Sequence, residues 1–152
     1  MKKGLCIILV VSLAISSLMV ALPVDSRVVE PSISALIICG PIRIDSNTDF
    51  DLAHNVTGGD GSALNPWVIE NFSIDGTGNG SCVYIGNTTE HFVVRNCLLY
   101  NASGVDGSIY RFNTSLMLYN VTNGTIQNNT VINSYYGIYL YSNSFNNIIT
   151  EN

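Results

Sequence analysis

From Trp67 onward the apolar positions come in short runs that alternate with polar ones, never with the spacing of an amphipathic helix. Four asparagines, Asn71, Asn96, Asn129 and Asn152, follow one another at spacings of 25, 33 and 23 residues. An aliphatic residue stands three positions before each (Val68, Val93, Ile126, Ile149), and Ile74, Leu99 and Ile132 stand three positions after the first three. A second set, Val83-Tyr84-Ile85, Leu116-Met117-Leu118 and Ile138-Tyr139-Leu140, recurs at spacings of 33 and 22. Each unit therefore predicts two strands rich in Val, Ile, Tyr and Thr, with turns of Asn, Gly, Ser and Asp between them.

A period in the twenties with strands and no helix predicts a stacked repeat, here an all-β parallel β-helix solenoid of about three to four coils. A leucine-rich repeat has a similar period, but its return segment is usually helical. The asparagine column fits the same reading, because an enclosed amide finds both a donor and an acceptor in an identical amide one coil away. The plainer account is that Asn is common in turns, and 18 are present. The spacing of 33, shared by Asn96 to Asn129 and Cys82 to Ser115, predicts an excursion of about ten residues over 102–114, a loop where binding residues tend to gather.

The chain opens Met1-Lys2-Lys3, continues with an apolar run from Leu5 to Leu22, and then meets Pro23, which is the order of an export signal. Residues 1–26 are expected to be a signal peptide, with an uncleaved membrane anchor as the alternative. Residues 27–66, including the apolar stretch Ile33 to Ile44, are expected to form an N-terminal cap and lead-in, and 67–152 the coils. Because Asn152 falls on the expected ladder, the series looks truncated there.

Cutting after Ser26 leaves four arginines, no lysine and ten acids, a formal charge of −6. That balance offers no electrostatic footprint for nucleic acid or anionic lipid. Cys39, Cys82 and Cys97 are an odd number, so at most one disulfide can form between them. Nine Asn-x-Ser/Thr sequons occur; Asn79, Asn87, Asn101, Asn113, Asn120 and Asn123 are the candidates for glycosylation in turns, while Asn55, Asn71 and Asn128 complete the set. A turn-rich chain full of Asn, Ser and Thr also produces sequons without any modification.

The stretch Gly58-Gly59-Asp60-Gly61-Ser62-Ala63-Leu64-Asn65-Pro66-Trp67-Val68-Ile69-Glu70-Asn71, with Val83-Tyr84-Ile85-Gly86-Asn87-Thr88 and Phe92-Val93-Val94-Arg95-Asn96-Cys97, resembles the N-terminal part of archaeal extracellular right-handed β-helix proteins, the NosD-like, carbohydrate-binding and sugar-hydrolase repeat family. The resemblance spans roughly residues 40–152. It implies a right-handed solenoid on the outer side of the cell envelope, and a family whose members include lyases, epimerases, hydrolases, a copper-site assembly factor and surface proteins.

The residues themselves supply no catalytic set. Asn47-Thr48-Asp49 matches a polygalacturonase motif in letters only, since no Asp pair follows and neither His54 nor His91 precedes a glycine. A calcium-dependent lyase would need clustered carboxylates and a base. Asp45, Asp49, Asp51 and Asp60 lie before the expected coils, and Arg95 aligns with Glu70 and Asn128, which suits an ion pair across coils better. Copper would need a ligand spacing that His54, His91, Met117, Cys39, Cys82 and Cys97 do not share. No cofactor is expected.

The second strand offers more. With its outer residues pointing inward, Tyr84, Met117, Tyr119, Tyr139 and Tyr141 should form an outward stripe, edged by Tyr135 and Tyr136, that suits the apolar faces of sugar rings. The competing account is cross-strand stacking that only stabilises the sheet. The sequence thus predicts a secreted or cell-surface module with a structural or glycan- or partner-binding role. The alternatives are the front part of a polysaccharide-degrading enzyme and an envelope protein that self-associates through its last coil.

Overall fold

Twelve short strands carry the fold in a computed structural model that describes residues 35–104 and 113–152, all within the unit Ile33–Asn152. The expected export segment, 1–26, and the centre of the excursion, 105–112, lie outside the described residues. In chain order the strands are β1 (Ile37–Cys39), β2 (Ile42–Ile44), β3 (Trp67–Glu70), β4 (Phe72–Asp75), β5 (Ser81–Thr88), β6 (Phe92–Arg95), β7 (Leu98–Tyr100), β8 (Thr114–Val121), β9 (Gly124–Gln127), β10 (Thr130–Ile132), β11 (Tyr136–Tyr141) and β12 (Ile148–Thr150). Every strand pairs in parallel with the strand three places along, giving three four-stranded sheets, β1-β4-β7-β10, β2-β5-β8-β11 and β3-β6-β9-β12. The chain thus visits three parallel sheets in the same cyclic order four times.

What turns the chain from one sheet to the next is a set of residues in the left-handed backbone region, nearly all asparagine. Asn71, Asn96 and Asn128 (φ 61°, 54° and 52°) lie between the third and first sheets, Asn101 and Asn133 (57° and 54°) after the first, and Asn87 and Asn120 (51° and 53°) near the ends of β5 and β8. Asparagine is among the few non-glycine residues that adopt this conformation readily, because its short amide can bond locally. One residue there redirects the strand and lets the β pattern resume at once.

The inward rows follow the register. Ile44, Ile85 and Leu118 stack in the second sheet, Ile69, Val94 and Ile126 in the third, and Ile74 and Leu99 in the first, all fully buried in one hydrophobic core. Beside the first pass, two 3₁₀ turns, Asn47–Asp49 and Leu52–His54, bring Phe50 and Val56 into that core. Phe50 stacks on Trp67 with centroids 6.0 Å apart, and Gly58 forms an antiparallel bridge to Val68. Within the stretch expected to be a cap, β1 and β2 are therefore the first strands of two sheets; β1 is largely exposed, and the turns after β2 add Phe50 and Val56 to the core.

Candidate functional site

On the outer face of the second sheet the register sets Arg43, Tyr84, Met117 and Tyr139 in one row and Gly86, Tyr119 and Tyr141 in the next. The stripe expected from alternation is only partly a surface. Tyr84 and Met117 point away from the core, as alternation requires, yet they are 2% and 0% exposed. For Tyr84 part of the reason is Gly86: a Cβ there would stand 2.5 Å from the Tyr84 hydroxyl, so the missing side chain is what lets the ring lie along the sheet. The Arg43 guanidinium covers the same ring at 4.3 Å from its centroid, a cation–π contact.

The remaining tyrosines form a run of rings across β8 and β11. Tyr119 and Tyr141 stack at 5.8 Å, Tyr139 and Tyr141 at 6.0 Å, and Tyr136 and Tyr139 at 5.1 Å, while Tyr135 meets Tyr136 edge-on at 4.7 Å. Tyr135, Tyr136 and Tyr141 are exposed and Tyr119 and Tyr139 half-buried. Near-parallel rings at these separations are offset stacks that cover part of each other's faces. A ligand meets ring edges here more than a flat pavement.

The expected ladder of Asn71, Asn96, Asn129 and Asn152 is not one column. Glu70 pairs with Arg95, and Arg95 with Gln127, so the left-handed column runs Asn71, Asn96, Asn128, Glu151, while Asn129 and Asn152 stand one position later with Phe72 and Cys97. The cause is a corner. Three residues, Thr89 to His91, join β5 to β6, but only Thr122 and Asn123 join β8 to β9, which breaks the constant spacing of 33. The same offset puts Gln127 rather than Asn128 beside Arg95, Asn129 rather than Thr130 beside Cys97, and Val131 rather than Ile132 beside Leu99.

Two kinds of amide ladder result. On the outside Asn128 donates to Asn96 Oδ1 at 2.7 Å, Asn120 to Asn87 at 3.0 Å and Asn133 to Asn101 at 3.5 Å. Inside, buried Asn129 accepts from the Cys97 N–H at 3.0 Å and donates to Val94 O at 3.0 Å and Asn152 Oδ1 at 2.9 Å. The sequons map onto these corners: Asn55, Asn71, Asn87, Asn101, Asn113, Asn120, Asn123 and Asn128 all have positive φ, and Asn79 lies in the turn before β5. The turn geometry accounts for the asparagine in each without reference to glycans.

The charged groups are spent on local structure. Asp51 is held below the usual carboxylate range by its hydrogen bond from His54, Asp60 by Ser62 and Asp75 by Thr77, all at the surface. Arg95 pairs with Glu70 at 2.7 Å. Among the described residues no three His, Cys, Asp or Glu side chains come together as a metal site. Cys39, Cys82 and Cys97 are free thiols, and burial pushes Cys82 and Cys97 up to about 11, far from reactive thiolates.

One pattern escaped sequence reasoning. Ser134 Oγ accepts from the Ala102 N–H (3.1 Å), Ser144 Oγ from Val121 (3.2 Å), Asn147 Oδ1 from Gly124 (2.9 Å) and Asn152 Oδ1 from Asn129 (3.1 Å). The signal was present as the doublets Asn128-Asn129, Asn133-Ser134 and Asn146-Asn147, each a positive-φ corner followed by a polar side chain. No family model, no curated protein and no solved structure matches the chain. Among the described residues no helix is long and apolar enough to cross a membrane.

Proposed function

We propose that residues 35–152 are a right-handed parallel β-helix of about four coils, of the NosD-like, carbohydrate-binding kind, displayed outside the cell as a recognition module. The cyclic visits to three parallel sheets support the solenoid, and the charged run and apolar stretch from Met1 to Leu22 support export. The observation that carries the recognition role is the continuous run of rings from Tyr135 through Tyr136, Tyr139 and Tyr141 to Tyr119. Uncharged and amphipathic, such a surface binds a glycan or an envelope protein by ring contact and hydroxyl hydrogen bonds together. The acidic, lysine-poor composition keeps nucleic acid out of the reading.

The test is a glycan array probed with the full chain and with a Tyr139→Ala/Tyr141→Ala variant. Removing two aromatic contacts of about 1 kcal/mol or more each should weaken binding by roughly tenfold or more while the circular dichroism stays unchanged. A folded variant that binds as the parent does sinks the tyrosine site.

A further inference from the structure

The sequon asparagines differ in one respect that decides whether a sugar fits: what the fold does with the amide nitrogen. Asn55, Asn71, Asn101, Asn113 and Asn123 are half-buried, which leaves Asn79, Asn87, Asn120 and Asn128 exposed. Three of these four spend the nitrogen within the chain. Asn79 donates to Thr77 O at 2.9 Å, Asn120 to Asn87 Oδ1 at 3.0 Å and Asn128 to Asn96 Oδ1 at 2.7 Å. The Asn87 side chain only accepts: its Oδ1 takes the bond from Asn120, and its nitrogen makes no bond among the described residues.

The reason lies in the stacking. Each outer amide of the ladders donates to the corner one pass earlier, so the first amide of a column has no such corner to reach. In the second sheet β2 pairs with β5 only as far as Ile44 opposite Ile85, and the chain then leaves into the turn Asn47–Asp49 before it meets the Asn87 corner. That turn braces the residues beyond instead: Asn47 Oδ1 accepts from the Thr89 N–H at 3.3 Å, and Asn47 Nδ2 donates to Glu90 Oε1 at 3.2 Å. The hydroxyl of the sequon is available as well. In Asn87-Thr88-Thr89 it belongs to Thr89, which is exposed and whose side chain makes no bond among the described residues. Thr88 turns inward, 1% exposed, and accepts from the Glu90 N–H. At Asn79, by contrast, the hydroxyl is that of buried Ser81.

We propose that Asn87 is the acceptor of an asparagine-linked glycan, transferred as the chain is exported. The donor is an oligosaccharide joined through its anomeric carbon to a lipid phosphate. The Asn87 amide nitrogen displaces that phosphate: the bond from the anomeric carbon to oxygen breaks, a bond to nitrogen forms, the amide gives up one proton and the lipid phosphate leaves. Oδ1 is untouched, so the bond from Asn120 survives. The same transfer to Asn79, Asn120 or Asn128 would put a sugar on a nitrogen that the fold uses as a donor. At Asn87 the bulky, hydrated group stands in solvent at a left-handed corner (φ 51°), where no packing opposes it.

The acceptor role rests on the export reading, and one experiment separates the two. The full chain, with its own N-terminal segment, is produced in a yeast secretory host. The secreted protein is treated with a glycan-removing amidase in heavy-oxygen water, which turns each occupied asparagine into a labelled aspartate. Peptide mass spectrometry should find the label at Asn87 in most molecules, several-fold above Asn79, Asn120 and Asn128. Thr89→Ala removes the sequon hydroxyl but keeps the Asn87 corner and its bond from Asn120, so this variant should lose the label at Asn87 with an unchanged circular dichroism spectrum. Secreted, β-rich protein with Asn87 bare, or labelled no more than the other three, overturns the acceptor and leaves export standing. A chain that stays inside the cell overturns both.

Discussion

Asn128 and Asn129 are neighbours of the same type with opposite duties. Asn129 is buried and satisfies Cys97 N–H and Val94 O, so Asn129→Ala strands two polar groups in the core and should cost about 2–4 kcal/mol in denaturant unfolding. Asn128 works chiefly by backbone conformation, and its solvent-exposed amide adds one outer bond, to Asn96. Asn128→Gly should change stability by no more than about 0.5 kcal/mol, because glycine keeps the left-handed turn. The sequence showed a recurrent asparagine; it did not show which of two adjacent ones faced in, since that depended on a corner one residue shorter than its predecessor. The buried thiols give a pH dependence. Their pKa is raised in the folded state, so their contribution is complete below about pH 8.5 and is lost as pH rises towards 11. Unfolding midpoints measured at pH 8 and pH 10.5 should fall with pH, and a Cys82→Ala/Cys97→Ala chain should show a smaller fall.

Between elements, fit matters more than charge. Glycine at position 124 makes room for Phe92 on the neighbouring strand: a Cβ there would lie 2.4 Å from the ring's Cζ. Gly124→Ala should destabilise by about 1–3 kcal/mol, and Phe92→Leu should recover part of that loss in the double variant, a coupling readable from a double-mutant cycle. Arg95→Gln, which removes the half-exposed pair with Glu70, should shift stability by less than about 1 kcal/mol. Strand existence and the in-and-out pattern were legible from alternation, as the inward rows of β5 and β8 attest. The burial of Tyr84 was not, because it depends on a glycine two residues along and an arginine one pass away.

Across the whole stack, stability should decline towards the last pass. The row Leu118 to Leu140 goes from full burial to partial exposure, so Leu118→Ala should cost about 2–5 kcal/mol and Leu140→Ala about 1. Native-state hydrogen exchange should accordingly find β8 and β9 the slowest and β10 to β12 the first to open. The short corner at Thr122 and Asn123 has a consequence at this scale. Its lost residue did not invert the faces downstream: Ile126 is as buried as Val94. Length can therefore drift at a bend while the strands keep their facing, which makes each pass an interchangeable cassette. Recombination that joins Arg95 directly to Asn128 would delete a whole pass and still meet the same backbone conformation on both sides of the splice, a route by which such chains can lengthen or shorten without refolding from scratch.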